Sequence, residues 1–106
     1  RYWVLDQGLW TLEEGVRRIT QVPAALAGFN DRGMLLPGLA ADIMVFDPDT
    51  VGPYSKKIVH DMPGDEARYS SRPRGIYATI VNGEPIVVDG ELTDALPGQV
   101  LKPHQA

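Results

Sequence analysis

Asn82-Gly83 stands between two β-rich runs, Ile76–Val81 and Pro85–Val88. Asn-Gly is the preferred pair for a two-residue type I′ turn, because both central positions need positive φ. The spacing therefore predicts a β-hairpin, and a hairpin in the rear half commits that half to antiparallel sheet. Pro85 has no N–H to give a ladder, so it belongs at a strand start or on an edge. Asp89-Gly90 marks a further turn, Glu91–Thr93 a short return strand, and Leu96-Pro97-Gly98 another turn before a tail over Gln99–Ala106. Upstream, Met34–Leu36 reads as a short apolar strand closed by Pro37-Gly38. Asp42–Phe46 is apolar on both alternating faces after its first residue, the pattern of a strand covered on both sides. Asp47-Pro48-Asp49 ends it as a turn. Residues 52–74 are polar and carry Pro53, Pro63, Gly64 and Pro73. They read as a long surface excursion with one short strand at Lys57–Val59.

The front half has a different period. Thr11-Leu12-Glu13-Glu14 has the form of a capping box, the Thr11 hydroxyl accepting the Glu14 N–H and Glu14 reaching back. Leu12, Val16 and Ile19 fall on one helix face. Glu13–Arg17 and Glu14–Arg18 form i,i+4 pairs on the solvated side. Gly15 inside this helix costs about 1 kcal/mol relative to Ala. Val22 before Pro23 predicts a break, Pro23 suits the start of a second helix, and Gly28 suits its end. The reading is two helical pieces, 12–21 and 23–28, followed by short, mostly antiparallel strands: an α+β chain.

Composition narrows the function. At 106 residues one domain is expected, with a radius of gyration of about 13 Å and about 65% of the unfolded surface buried. The 10 basic and 14 acidic side chains leave a net charge of −4, which argues against a phosphate-backbone binder. Cysteine is absent, which excludes disulfides, thiolate metal sites and a thiol nucleophile, and fits a cytoplasmic setting. No apolar run approaches the ~18–20 residues of a membrane span, and residues 1–10 lack the order of a signal peptide. The chain begins at Arg1 rather than Met, so a processed chain or a piece of a longer one is expected.

Candidate chemistry is sparse. His60-Asp61 has the form of a base beside an orienting carboxylate, though a loop histidine beside a loop acid has the same spacing. His104 lies alone in the tail, where exposure is expected. Metal sites need three or four converging ligands, and no ligand spacing surrounds either histidine. The adjacent acids Glu13/Glu14 and Asp65/Glu66 sit where solvation keeps both members alike, unlike a catalytic acid–base pair. Ser70 and Ser71 lack a G-x-S-x-G elbow. Gly33, Gly38, Gly83, Gly90 and Gly98 form no phosphate-binding pattern and read as turn glycines. Arg68, Arg72 and Arg74, with Tyr69 and Tyr77 nearby, suit an anion or simply a solvated loop. Asp42 opens an apolar strand, so its carboxylate must find donors, expected from the Pro37–Ala41 turn.

Beyond this, Arg32-Gly33 together with Pro37-Gly38-Leu39-Ala40-Ala41-Asp42-Ile43-Met44-Val45-Phe46-Asp47-Pro48 resembles a recurring segment of the metal-dependent amidohydrolases. Thr11-Leu12-Glu13-Glu14, Thr20 and Pro23-Ala24-Ala25 look like the last helices of that family's barrel. Ile80-Val81-Asn82-Gly83 is similar to its closing hairpin. The stretch from Asp89-Gly90 through Asp94 and Pro97-Gly98 to Leu101 is similar to the ending of the N-acyl-D-amino-acid deacylases. Departures fall at Gly15 for a usual Ala, Phe29 for a Leu, Asp94 for a Gly, and Gln99 and Lys102 for arginines.

The resemblance implies that residues 1–30 end a (β/α)8 barrel, with Arg1–Gly8 after its last strand. Residues 31–106 would be the C-terminal part of a small β-sandwich flanking it. It implies a parent enzyme in which zinc activates water against an amide carbonyl. Its ligands would all precede this segment, so no catalytic, cofactor-binding or metal residue is carried over and the segment is expected to be inactive alone. The expected partners are the rest of the barrel and N-terminal sandwich strands. A fragment without them is expected to self-associate, and neither nucleic acid nor membrane is an expected partner. Two other readings stay open: an amidohydrolase acting on cyclic amides, as dihydroorotases and hydantoinases do, and a free-standing β-rich interaction module.

Overall fold

The computed structural model describes residues 1–103. His104, Gln105 and Ala106 lie outside the described residues, and with them the tail histidine and the end of the predicted tail. A π-helical turn at Tyr2–Asp6 leads into α1 (Leu12–Ile19) and α2 (Gln21–Leu26). Thr11 caps α1 as expected, its hydroxyl accepting the Glu14 N–H at 3.2 Å. The other half of the capping box is not made. Glu14 instead accepts from Arg17 Nε and Arg18 Nε, each at 2.8 Å. Residue 14 is the i−3 and i−4 neighbour of these two guanidinium groups, so one carboxylate serves both. Arg17 thus turns to Glu14 rather than Glu13. The hydrogen bonds from Arg17 and then Arg18 hold the Glu14 carboxyl down at a pKa of about 2.

The helix break falls at Thr20 (φ −125°, ψ −80°), two residues before the expected place. The Thr20 hydroxyl donates to the Val16 carbonyl at 2.7 Å. Pro23 becomes the third residue of α2, where N–H groups have no intrahelical acceptor and none is missed. Gly28 closes α2 in a Schellman motif: Phe29 N–H donates to Ala24 O at 2.8 Å and Gly28 N–H to Ala25 O at 3.1 Å. Gly15 has a local reason as well. A Cβ there would overlap Val4 Cγ2, so the missing side chain lets the first turn pack on α1.

The rear half contains β1 (Ile43–Phe46), β2 (Gly52–Pro53), β3 (Lys57–Val59), β4 (Arg68–Ser70), β5 (Pro73–Arg74), β6 (Ile76–Val81), β7 (Glu84–Val88) and β8 (Glu91–Leu92). The main sheet is antiparallel in the order β1-β6-β7-β8, while β2 pairs with β5 and β3 with β4 as two short ribbons. The predicted hairpin is present: Val81 faces Glu84, with Asn82 at φ 49° and Gly83 at φ 81°. Asp89 and Gly90 (φ 49° and 82°) repeat the same turn between Val88 and Glu91. Pro85 is the second residue of β7, outside the stretch that pairs with β8. Two expectations are corrected. Met34–Leu36 forms no strand, because no segment among the described residues pairs with it. The 52–74 excursion is folded back on itself by the two ribbons rather than carrying a single strand at 57–59.

The sheet has two apolar faces. The register aligns Val45, Ala78 and Val88 on one side and Met44, Thr79, Val87 and Leu92 on the other. Neither face is fully covered: Val45 is 44% exposed, Met44 46% and Leu92 84%. The expected cover on both sides of β1 is therefore not supplied by these residues. No described residue is fully buried. The radius of gyration is 16.3 Å, against about 13 Å for a compact chain of this length. The accessible surface is 8403 Å², against about 5,800 Å² for a compact monomer of this mass. No helix among the described residues is long and apolar enough to cross a membrane.

Candidate functional site

Asp42 is an acid that joins two distant parts of the chain. Its Oδ1 accepts the Asn82 N–H at 2.9 Å, and its Oδ2 pairs with Arg32 Nη1. Arg32, whose side chain is 14% exposed, also reaches Asp31 Oδ1 at 3.2 Å. Asp31 first, and Asp42 with it, hold the Arg32 guanidinium more firmly charged. Beside this, the Gly83 N–H donates to Ala41 O at 3.0 Å and Asn82 Nδ2 donates to Pro97 O at 2.8 Å. The carboxylate donors thus come from the hairpin turn and Arg32, not from the Pro37–Ala41 turn. That turn has its own bonds, Leu39 N–H to Leu36 O and Ala40 N–H to Asp31 O. Asp42 locks the hairpin to the segment entering β1, which is a structural task. Asp42→Ala is expected to lower stability by about 2–3 kcal/mol, because it strips a charged acceptor from two donors. Asp42→Asn, which keeps one carbonyl oxygen, should lose less. Urea midpoints of the two variants check this, and an alanine variant unfolding with the parent chain would contradict it.

The His60-Asp61 pair does not form. His60 Nδ1 lies 2.9 Å from Asp65 O. Asp61 is taken by Arg68 through both carboxylate oxygens, and that guanidinium holds its pKa below the usual range. The geometry is that of a loop histidine beside a loop ion pair. Ser71 donates to Tyr54 O at 2.6 Å and so ties the ribbon together; no base accompanies it among the described residues.

The arginine group separates. Arg68 leaves for Asp61, while Arg74 and Tyr77 line an open cleft of about 510 Å³ with Arg1, Asp49, Thr50, Tyr54 and Gly75. Arg1 Nη1 donates to Asp49 O at 3.1 Å and Val51 O at 3.3 Å. Arg1, Thr50 and Tyr54 were not legible as neighbours of Arg74. They come from distant stretches: the pairing of β2 with β5 sets Thr50 and Tyr54 near Arg74, and Arg1 joins through its bonds to Asp49 and Val51. The cleft floor is the Asp47 turn. Asp47 Oδ1 accepts Asp49 N–H at 2.9 Å and Oδ2 accepts Thr50 Oγ1–H at 2.8 Å, and these bonds pull its pKa down. The cleft holds cations and hydroxyls on a broad, wet opening, with no nucleophile–base pair. Among the described residues no group of three or more His, Cys, Asp or Glu could hold a metal ion. The residues present do not fit the zinc that the resemblance implies.

No protein-family model matches the chain, and no solved structure matches it significantly. Relatives among characterised proteins do. An N-acyl-D-aspartate deacylase of Alcaligenes xylosoxydans xylosoxydans is 38% identical over 110 residues, covering 100% of this chain and 20% of that protein. A D-aminoacylase of the same organism is 34% identical over 103 residues, covering 94% of the chain and 19% of that protein. A 5-methylthioadenosine/S-adenosylhomocysteine deaminase of Caldicellulosiruptor saccharolyticus is 32% identical over 97 residues, covering 84% of the chain and 21% of that protein. The chain spans about a fifth of the length of these relatives. Two relatives are named for removing an acyl group and one for removing an amino group, so the matched stretch is common to different reactions.

Proposed function

The chain is a relative, along its whole length, of the N-acyl-D-amino-acid deacylases, and from that premise we propose that it is the C-terminal structural portion of such an amidohydrolase. The parent hydrolyses the amide of an N-acyl-D-amino acid, water adding an oxygen to the acyl carbon and the C–N bond breaking to release the amine. Residues 1–30 close its barrel, and residues 31–106 supply strands to a flanking β-sandwich. Zinc and its ligands belong to the polypeptide outside this segment.

The observation that carries this reading is the end-to-end match to a protein five times as long, in a chain whose sheet has two incompletely covered apolar faces. A structural role is further supported by the deaminase relative. A segment shared by enzymes of different chemistry is suited to holding a scaffold rather than choosing a substrate. The coding sequence tests it. The reading frame upstream of Arg1 should run for several hundred codons and contain a His-x-His metal motif. A start codon directly before Arg1 would overturn the reading in favour of a free-standing module.

A further inference from the structure

The two edges of the main sheet are unlike. The outer edge of β8 is two residues long and begins with a charge, Glu91. Short length and charge are the devices that keep sheet edges from pairing. The outer edge of β1 has neither. Its four residues are Ile43-Met44-Val45-Phe46, without charge or proline, and among the described residues it pairs with β6 alone. The irregularity between Val45 and Phe46 lies on the side facing β6. Next to it, Met34, Leu35, Leu36, Pro37, Leu39 and Ile43 line an apolar groove of about 230 Å³, with Leu35 76% exposed. The chain also shows roughly 2,600 Å² more surface than a compact monomer would. A stable interface needs only about 800 Å² from each partner.

We propose that, in the isolated chain, the outer edge of β1 pairs antiparallel with β1 of a second copy. The product is one continuous eight-stranded sheet with a two-fold axis at its centre. The contact is isologous and closes on itself, so it ends at a dimer. A two-fold perpendicular to the sheet keeps each face on its own side. A residue therefore stands opposite its own copy, and the pairing centres on Met44 or Val45. This surface is the one that the remaining polypeptide would cover under the scaffold reading, but the inference rests on the edge itself.

Sedimentation equilibrium of the 106-residue chain at micromolar concentration tests it. The expected mass is twice the 11.6 kDa chain mass. Val45→Lys should return the chain mass, while Leu92→Lys on the opposite edge should leave the dimer. The chain has no cysteine, so single-cysteine variants give a second reading that does not depend on the lysine variant folding. Under mild oxidation, Met44→Cys or Val45→Cys should form a covalent dimer in high yield, and Leu92→Cys should not. A monomer mass for the unaltered chain, or cross-linking no better at positions 44 and 45 than at 92, would overturn the proposal. Either failure leaves the upstream reading frame, and so the scaffold reading, standing.

Discussion

Gly75→Ala lowers the stability of the chain by about 2–5 kcal/mol, combining left-handed backbone strain with overpacking. Gly75 sits at φ +71°, where a side chain is disfavoured in any surroundings. Here the surroundings are also closed. A Cβ would lie 2.6 Å from Val51 N, 2.7 Å from Thr50 Oγ1 and 2.8 Å from Thr50 C. Two of these are backbone atoms of the turn that ends β1, and the third is held by Asp47 Oδ2. The turn cannot yield without breaking its own bonds, Asp47 N–H to Gly75 O at 2.8 Å and Val51 N–H to Asp47 O at 2.9 Å. Faster amide exchange at Asp47 and Val51, together with a lower urea midpoint, is the expected signature. Gly98→Ala is the control, since a Cβ at Gly98 meets nothing within 4 Å. A Gly75→Ala variant as stable as Gly98→Ala would show that the turn does not pack on Gly75.

This contact also marks where the sequence stops being readable. The Asn82-Gly83 turn, the Asp89-Gly90 turn and the Thr11 cap were legible, because each is decided by residues within four of one another. The end of α2 at Gly28 was legible for the same reason. The break at Thr20 was displaced because its backbone leaves helical geometry before the proline is reached, and a proline within the first helical turn carries little information about the boundary. β4 was missed because Arg68-Tyr69-Ser70 is polar; it is a strand only because Lys57–Val59 lies across from it. Gly75 carries no local signal, because its constraint exists only once the fold brings Thr50 and Val51 against it. Asp42 was recognised as an acid in need of donors. Which donors it finds, Asn82 and Arg32, depends on tertiary contacts 40 and 10 residues away.

The candidate chemistry follows the same division. His60 and Asp61 are neighbours in sequence, yet Arg68 competes for the carboxylate and wins through two hydrogen bonds. Of the cleft, Arg74 and Tyr77 stood out in the arginine–tyrosine group, whereas Arg1, Thr50 and Tyr54 had no local signal. What the residues did carry was the apolar run of β1, apolar on both alternating faces after Asp42. That pattern asks for cover on two faces, and the described residues cover neither of them fully. The relatives it aligns with are about five times longer, and under the scaffold proposal the cover for such a pattern would come from the rest of a larger protein.

The second large effect is therefore all-or-none. Under the scaffold proposal, the chain on its own should not hydrolyse N-acyl-D-amino acids, whereas a longer protein that carries this segment together with a complete barrel should. The reasoning is geometric. Amide hydrolysis of this kind needs an activated water beside groups that stabilise the developing oxyanion. The described residues place Asp42 in a structural lock, Asp61 in an ion pair and His60 against a carbonyl. The most direct measurement is the rate of amine release from N-acetyl-D-aspartate and other N-acetyl-D-amino acids. The purified chain is supplied with zinc and run beside the longer protein under the same conditions. The scaffold account predicts turnover by the longer protein and only the buffer rate from the 106-residue chain. Turnover by the chain alone at a rate comparable to the longer protein would contradict it.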